Sequence, residues 1–251
     1  MTGDGHTSGI DVVITTAQAV LDYTARWGGA GALLSRTELD AAERFRNPAD
    51  GRAYAGAHVL FRLMAARSLG ATVEQAGGLA VHRECLSCGG PHGKPGIAGT
   101  SLSLSRSGQT VMVASGPPGP PLGADVEAVP ARLHAGFDEY SLSAGERRAL
   151  EGRNDVEPRI RCWVAKEAAL KASGHGLSVD PAALHIGPPS PPGIATDGWG
   201  AAVQAPTLPE LHGMSLAWLP APARFVAALA TAGRPVIREL DVGTACAGQS
   251  A

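Results

Sequence analysis

The sequence predicts a fold of mixed helices and strands that is built from two similar units. Three observations predict it. A Leu-Ser-x-x-Glu box occurs twice, a long helical segment follows each box at nearly the same distance, and a Pro- and Gly-rich linker separates the two units. With the linker at 116–121, we expect an N-terminal half over 1–118 and a C-terminal half over 119–251, with a loose tail over 241–251.

The N-terminal half is predicted to contain one strand, then two helices, then three strands. Ser35 and Glu38 form a capping box, which starts a helix, and Gly70 is placed to end the long helix that follows. The predicted elements are a mobile leader over 1–9, a strand over 10–16, a short helix from Ser35 to about residue 45, a long helix over 51–69, and strands over 79–84, 100–104 and 110–114.

The C-terminal half repeats this order. Ser143 and Glu146 form the second capping box, and Gly174 or Gly176 can end the long helix that contains Trp163. The predicted strands lie at 122–127, 183–187, 200–204, 214–218, 224–230 and 235–240.

Each long helix carries an aromatic residue followed by polar residues four and eight positions later, a spacing that places them on one face. Because His58 stands where Glu167 stands, we expect a hard cation held by carboxylates in the C-terminal half only. The two sets are Tyr54, His58 and Arg62, and Trp163, Glu167 and Lys171.

Two further carboxylates occur in the strand predicted at 122–127. Asp125 and Glu127 share one face of that strand, while Val126 points into the core. Two carboxylates on one face repel each other unless a cation lies between them, and Mg²⁺ prefers oxygen ligands. Glu167 would supply a third carboxylate. The alternative is an ordinary solvated strand end.

Cysteine spacing leaves a second kind of site open. Cys85 and Cys88, with His82 and His92 nearby, resemble half of a zinc knuckle, although a second C-x-x-C motif is absent. A zinc-knuckle interaction module is therefore one alternative function for the chain.

Composition excludes several broad classes of protein. The 251 residues carry a net charge of −2, which gives no general attraction to nucleic acid. No apolar run is long enough for a membrane span, and the first residues lack the basic and apolar regions of a signal peptide. We therefore expect a cytoplasmic protein with neither nucleic acid nor membrane as a partner.

Three motifs resemble, in order and spacing, the Sfp-type 4′-phosphopantetheinyl transferases of the holo-acyl-carrier-protein synthase superfamily. The resemblance covers roughly residues 34–180 and implies an α+β pseudo-dimer of two similar halves, each a long helix packed on a small antiparallel sheet, and hence a monomer. The motifs are Gly93-Lys94-Pro95 with Ser103-Leu104-Ser105, then Gly-Ala-Asp-Val-Glu at 123–127, then W-V-A-K-E-A-A-L-K-A-S-G-H-G-L at 163–177.

The resemblance also implies a reaction. Coenzyme A would bind between the halves, and its 4′-phosphopantetheine arm would pass, with Mg²⁺ as cofactor, to a serine of an apo acyl or peptidyl carrier protein of fatty acid, polyketide or nonribosomal peptide synthesis. The roles implied are Mg²⁺ ligands for Asp125, Glu127 and Glu167, general base for Glu167, catalytic pyrophosphate binding for Lys171, and coenzyme A contacts for Lys94, Ser105 and Arg106, with Arg44 and Arg52 as further candidates at the nucleotide end.

One position departs from the family pattern. Arg106 stands where the family usually has a histidine between two serines. We expect Arg106 to bind a phosphate in its place, because a guanidinium has a permanent charge and a planar fork suited to phosphate oxygens. The alternative suggested by this departure is a catalytically lapsed protein that binds coenzyme A or docks a carrier protein.

Overall fold

Two β-sheets pack against each other in the computed structural model of the chain, and each has a long helix on its other side. The structure describes residues 9–86, 88–186 and 198–247. The strands are β1 (Gly9–Thr16), β2 (His82–Arg83), β3 (Pro95–Gly96), β4 (Ser101–Ser107), β5 (Thr110–Gly116), β6 (Leu122–Ala128), β7 (His185–Ile186), β8 (Trp199–Gln204), β9 (Ser215–Leu219), β10 (Phe225–Thr231) and β11 (Val236–Glu239).

Two of the helices are long. They are α4 (Pro48–Leu69) and α8 (Val156–Ser173). The shorter ones are α1 (Ala17–Thr24), α2 (Gly29–Leu33), α3 (Arg36–Glu43), α5 (Val73–Ala76), α6 (Phe137–Ser141), α7 (Ala144–Ala149) and α9 (Val242–Cys246), with 3₁₀ turns at Ala25–Trp27, Gly176–Ser178 and Pro181–Ala183. No helix in the three described ranges is long and apolar enough to cross a membrane.

The first sheet has the strand order β11-β1-β5-β4, and the second has the order β6-β10-β9-β8-β7. Neighbouring strands are antiparallel except β1 and β11, which run parallel. Strands β2 and β3 form a separate short pair. Residues 117–121, the predicted linker, connect β5 of the first sheet to β6 of the second. The α+β class predicted from the sequence is confirmed.

Predicted capping signals start and end the main helices. Both capping boxes form: the Ser35 and Ser143 side chains each accept a hydrogen bond from the backbone three residues on. Helix α4 ends at Gly70 and α8 at Gly174, each in the left-handed conformation that favours glycine.

Apolar side chains form three layers of core. One lies between α4 and the first sheet, and another between α8 and the second sheet. The third joins the two sheets, where Val12 and Met112 of the first meet Val126 and Leu229 of the second. The layers therefore run helix, sheet, sheet, helix, and the edge strands β4 and β6 come together.

The edges of the two sheets are joined by serines. Ser103 Oγ accepts a hydrogen bond from the backbone N–H of Ala124 (2.9 Å), and Ser107 Oγ accepts one from Ala128 (3.1 Å). The leucines that alternate with these serines pack toward the α4 core. Because serine and leucine alternate along β4, its serines face the second sheet and its leucines face the apolar core beside α4.

The expectation of a loose C-terminal tail is wrong for residues 242–246, which form α9. Ala245 and Cys246 are buried in the core beside α4, and Arg67 of α4 donates to the Thr244 carbonyl (2.9 Å). Strand β11 and α9 therefore pack with the first sheet, although the sequence placed them in the C-terminal half. Residues 1–8 of the predicted leader and 248–251 of the tail lie outside the described residues.

The polar faces of α4 and α8, which follow the same sequence pattern, make different contacts. Arg62 is buried and donates to Glu38 (2.8 Å), whereas Lys171, its counterpart in the sequence pattern, donates to Asp125. The cation that pairs with the second capping-box glutamate is instead Lys166, which donates to Glu146 (2.6 Å). The two-fold relation of the halves, and the boundary between them, remain predictions.

Candidate active site

The site forms where α8 lies directly on β6. A Cβ atom at Gly123 would lie 1.8 Å from the Ala168 carbonyl oxygen, so a glycine is required for this approach. Glu167 precedes Ala168 on the helix, and Lys171 follows one turn later. The close packing therefore sets these two side chains over Asp125 of β6.

Asp125 is the centre of the polar contacts. It is 2% exposed, and its Oδ1 atom accepts hydrogen bonds from Lys171 Nζ (2.6 Å) and Ser105 Oγ (2.7 Å). Lys171 Nζ also donates to Ser105 Oγ (2.9 Å). Helix α8, β6 and β4 thus each contribute one member of this triangle.

Glu127 and Glu167 border the same cluster. Glu127 Oε2 accepts a hydrogen bond from Ser107 Oγ (2.7 Å). Burial, together with the charge of Asp125, raises the pKa of Glu127. Burial and the charges of Asp125 and Glu127 raise the pKa of Glu167 to about 7, against an ordinary value of 4.5. Three carboxylates that perturb one another in this way form one electrostatic unit.

This unit suits a divalent cation. Asp125 Oδ2 and Glu167 Oε1 are buried and accept no hydrogen bond from the described residues. Buried carboxylate oxygens without donors are costly unless a cation or solvent satisfies them. The donor set is oxygen only, which fits Mg²⁺. Lys171 pairs with the other oxygen of Asp125, Oδ1, so Oδ2 is available to a cation while this ion pair persists.

Beside this cluster lies a cavity of about 550 Å³ between the β2–β4 region and the C-terminal end of α8. Lys94 and Lys171 both line it. Lys94 Nζ donates to the Leu122 carbonyl (2.6 Å). Burial, with the charge of Lys171, lowers the pKa of Lys94 to about 8. Two ammonium groups at one cavity favour an anionic ligand such as a phosphate.

The predicted nucleotide contacts are spread over two faces of β4. Ser105 belongs to the Asp125 cluster, whereas Arg106 points to the opposite face, where its guanidinium carbon lies 5.2 Å from the centroid of the Phe45 ring. Arg44 is exposed at the end of α3, and Arg52 is exposed in the first turns of α4. The structure therefore brings Asp125, Glu127, Glu167, Lys171, Ser105 and Lys94 to one region, and leaves Arg44, Arg52 and Arg106 on the α3–α4 side.

Trp163 does not join the carboxylate cluster. Its ring contacts Phe137 and Tyr140 of α6, with ring centroids 6.3 and 5.8 Å apart. The lysine before Glu167 also points elsewhere, because Lys166 is fully buried against Glu146. The sequence pattern overlooked Ser107 as a partner of Glu127; the alternation of serine and leucine along β4 is the signal that could have identified it.

Comparison with known proteins confirms the resemblance seen in the sequence. Residues 121–205, which contain β6 and α8, match the model of the 4′-phosphopantetheinyl transferase superfamily. A protein of Synechocystis sp. named "Putative 4′-phosphopantetheinyl transferase" is 26% identical over 159 residues. That alignment spans 60% of this chain and 61% of the relative's own length.

Proposed function

We propose that this chain, whose β6–α8 region resembles the 4′-phosphopantetheinyl transferase superfamily, transfers the 4′-phosphopantetheine arm of coenzyme A to a carrier protein. The hydroxyl oxygen of a serine on the apo carrier forms a bond to the β-phosphorus. The bond from that phosphorus to the oxygen of 3′,5′-ADP breaks, and the serine proton passes to a base. The products are the holo carrier protein and 3′,5′-ADP.

One observation carries the proposal. Two buried oxygens, on Asp125 and Glu167, accept no hydrogen bond from the described residues and lie in a cluster of three carboxylates. Lys171 lies beside them and also lines the cavity between the β2–β4 region and the end of α8. Three buried carboxylates without a cation destabilise the fold, because burial and the charges of Asp125 and Glu127 make the ionised form of Glu167 unfavourable. A function that needs a cation and a diphosphate accounts for this arrangement.

Asp125, Glu127 and Glu167 would hold the Mg²⁺ ion. When bound, the ion would neutralise negative charge on the diphosphate oxygens of coenzyme A. Lys171, which lines the cavity, would leave Asp125 and bind the pyrophosphate, and Lys94 would supply a second positive charge. Phosphoryl transfer depends mainly on such positioning and charge neutralisation.

Glu167 is the proposed acceptor of the serine proton. With Mg²⁺ bound, Glu167 would be a carboxylate, the form that can accept a proton. Glu167 also lies on α8 one turn before Lys171, so the base and the phosphate-binding cation come from the same rigid element. The serine hydroxyl would approach from the open side of the cavity.

The test is a transfer assay. The protein is incubated with coenzyme A, Mg²⁺ and a panel of apo acyl and peptidyl carrier proteins, and the carriers are weighed by intact-protein mass spectrometry. The expected result is the added mass of phosphopantetheine on at least one carrier, lost when the carrier serine is replaced by alanine or when Mg²⁺ is removed with a chelator.

The lapsed alternative gives a different outcome in the same experiment. A protein that only binds coenzyme A, as the departure at Arg106 suggested, would show saturable binding in calorimetry with no mass added to any carrier. The presence of Asp125, Glu127, Glu167 and Lys171 in one cluster favours the active enzyme, because binding alone does not need a base.

A further inference from the structure

The loop between β2 and β3 gathers three side chains that are typical metal ligands. One ligand atom each from Cys85, Cys88 and His92 lies within 4.8 Å of the others, and Cys88 Sγ is 3.1 Å from His92 Nε2. Two thiolates and an imidazole are a donor set that Zn²⁺ favours. We propose that this cluster binds a zinc ion.

Backbone contacts hold the loop in the shape that brings the ligands together. Cys85 N donates to the Gly90 carbonyl (2.9 Å), and Gly89 N donates to the Cys85 carbonyl (2.7 Å). Gly90 N donates to Cys88 Sγ (3.4 Å), the kind of outer contact that orients a metal-binding thiolate. A Cβ atom at Gly90 would lie 3.2 Å from Cys88 Sγ and 3.1 Å from His92 Nε2, so a larger residue would crowd the ligands.

Zinc binding needs only a small adjustment of this cluster. Tetrahedral coordination with Zn–S bonds of about 2.3 Å places ligand atoms about 3.5 to 3.8 Å apart. The three ligand atoms already lie within 4.8 Å of one another, and Cys88 Sγ would move slightly away from His92 Nε2. The two thiols lose their protons on binding. Two thiolates then balance the charge of Zn²⁺, so the ion adds no net charge beside Lys94, which follows His92 by two residues.

The ion would stiffen one wall of the cavity. Cys85, Cys88 and His92 line the cavity together with Lys94. The loop also contacts the end of α8, since a Cβ atom at Gly174 would lie 3.2 Å from Leu86 Cδ1. Three of the described residues supply ligands, so a water molecule would complete the tetrahedron. An effect of this stiffer wall on coenzyme A binding rests on the proposed function, whereas the binding of zinc does not depend on it.

The metal content of the full-length protein tests the proposal. Protein expressed with added zinc and purified under reducing conditions without chelators is analysed by inductively coupled plasma mass spectrometry. We expect about one zinc per chain. The double variant Cys85→Ser, Cys88→Ser should contain none. Cys162→Ser, a change on α8 outside the cluster, is the matched control and should keep the zinc.

Two measurements keep the result independent of folding and of activity. His92→Ala should weaken zinc binding by more than about 100-fold in competition with a chromophoric chelator, since even outer contacts contribute 10- to 100-fold. Removing zinc should speed hydrogen exchange in residues 84–94 and leave α4 unchanged. The proposal is overturned if the reduced wild type takes up no zinc, if the double-cysteine variant retains it, or if the purified protein carries a Cys85–Cys88 disulfide in place of metal. Carrier transfer can succeed or fail in each of these cases, so the two proposals fail separately.

Discussion

Replacing Glu167 with glutamine is expected to stabilise the metal-free protein at pH 8 and to have little effect near pH 5. Burial and the neighbouring Asp125 and Glu127 keep the Glu167 carboxyl protonated in the folded chain up to a pKa of about 7. In the unfolded chain it ionises at its ordinary value of 4.5. Between these values the folded state binds more protons, so stability is lost as the pH rises through this window.

The size of the effect follows from the difference between the two values. Each pKa unit corresponds to about 1.4 kcal/mol, so ionising Glu167 in the folded state costs up to about 3 kcal/mol of the free energy of unfolding by pH 8. At pH 5 the cost is under about 1 kcal/mol. Glutamine has nearly the same shape and no charge. The stability difference between variant and wild type should therefore change by about 2 kcal/mol from pH 5 to pH 8.

Urea unfolding in excess chelator at the two pH values measures this. Glu151→Gln, at an exposed turn after α7, is the matched control and should show no such change. Added Mg²⁺ should stabilise the wild type at pH 8 and leave Glu167→Gln unaffected, because binding to the folded state alone raises stability. If the stability difference between Glu167→Gln and the wild type is the same at pH 5 and pH 8, the three carboxylates do not form one buried unit.

Three further changes have defined outcomes. Asp125→Ala should abolish transfer to the carrier while circular dichroism stays that of the wild type; full activity, or activity in excess chelator, would contradict the metal role. Arg106→Ala should raise the Michaelis constant for coenzyme A about 10-fold or more, because it removes one charged hydrogen bond. The Michaelis constant for dephospho-coenzyme A, which lacks the 3′-phosphate, should rise less. Equal effects on both nucleotides would show that Arg106 does not bind the 3′-phosphate. Lys166→Met should lower the free energy of unfolding by about 3 to 5 kcal/mol, because Lys166 is 0% exposed and its loss leaves Glu146 buried without its cation. Adding Glu146→Gln should recover part of the loss. A cost below about 1 kcal/mol for the single change would show that the ion pair contributes little to stability.

Local signals in the sequence predicted most of the strands and four of the described helices, α3, α4, α7 and α8. The capping boxes at Ser35 and Ser143 and the glycines at 70 and 174 mark helix ends by chemistry that acts within one turn. The strands β1, β5, β6 and β10 were predicted to within two residues at either end. Helices α1, α2 and α9 were not predicted, because short helices depend on packing more than on their own propensity.

Long-range pairings were beyond the sequence pattern. Strand β11 pairs with β1 across more than 200 positions, and no local signal specifies that partner. The carboxylates were identified because Asp125 and Glu127 share a strand face, and because the α8 motif resembles a known family. The contact of Lys171 with Asp125 depends on how closely α8 approaches Gly123, which is a property of packing. The face of Arg106, in contrast, follows from the alternation of side chains along β4, which is a local pattern.

The arrangement of metal and coenzyme A is tested most directly by a crystal structure of the protein with coenzyme A and Mn²⁺ in place of Mg²⁺, with anomalous diffraction at the manganese edge. We expect a manganese peak bound by Asp125, Glu127 and Glu167, with Lys171 moved from Asp125 to the diphosphate. A manganese ion bound elsewhere, or coenzyme A bound while Lys171 stays paired with Asp125 and no metal is held by the carboxylates, would contradict it.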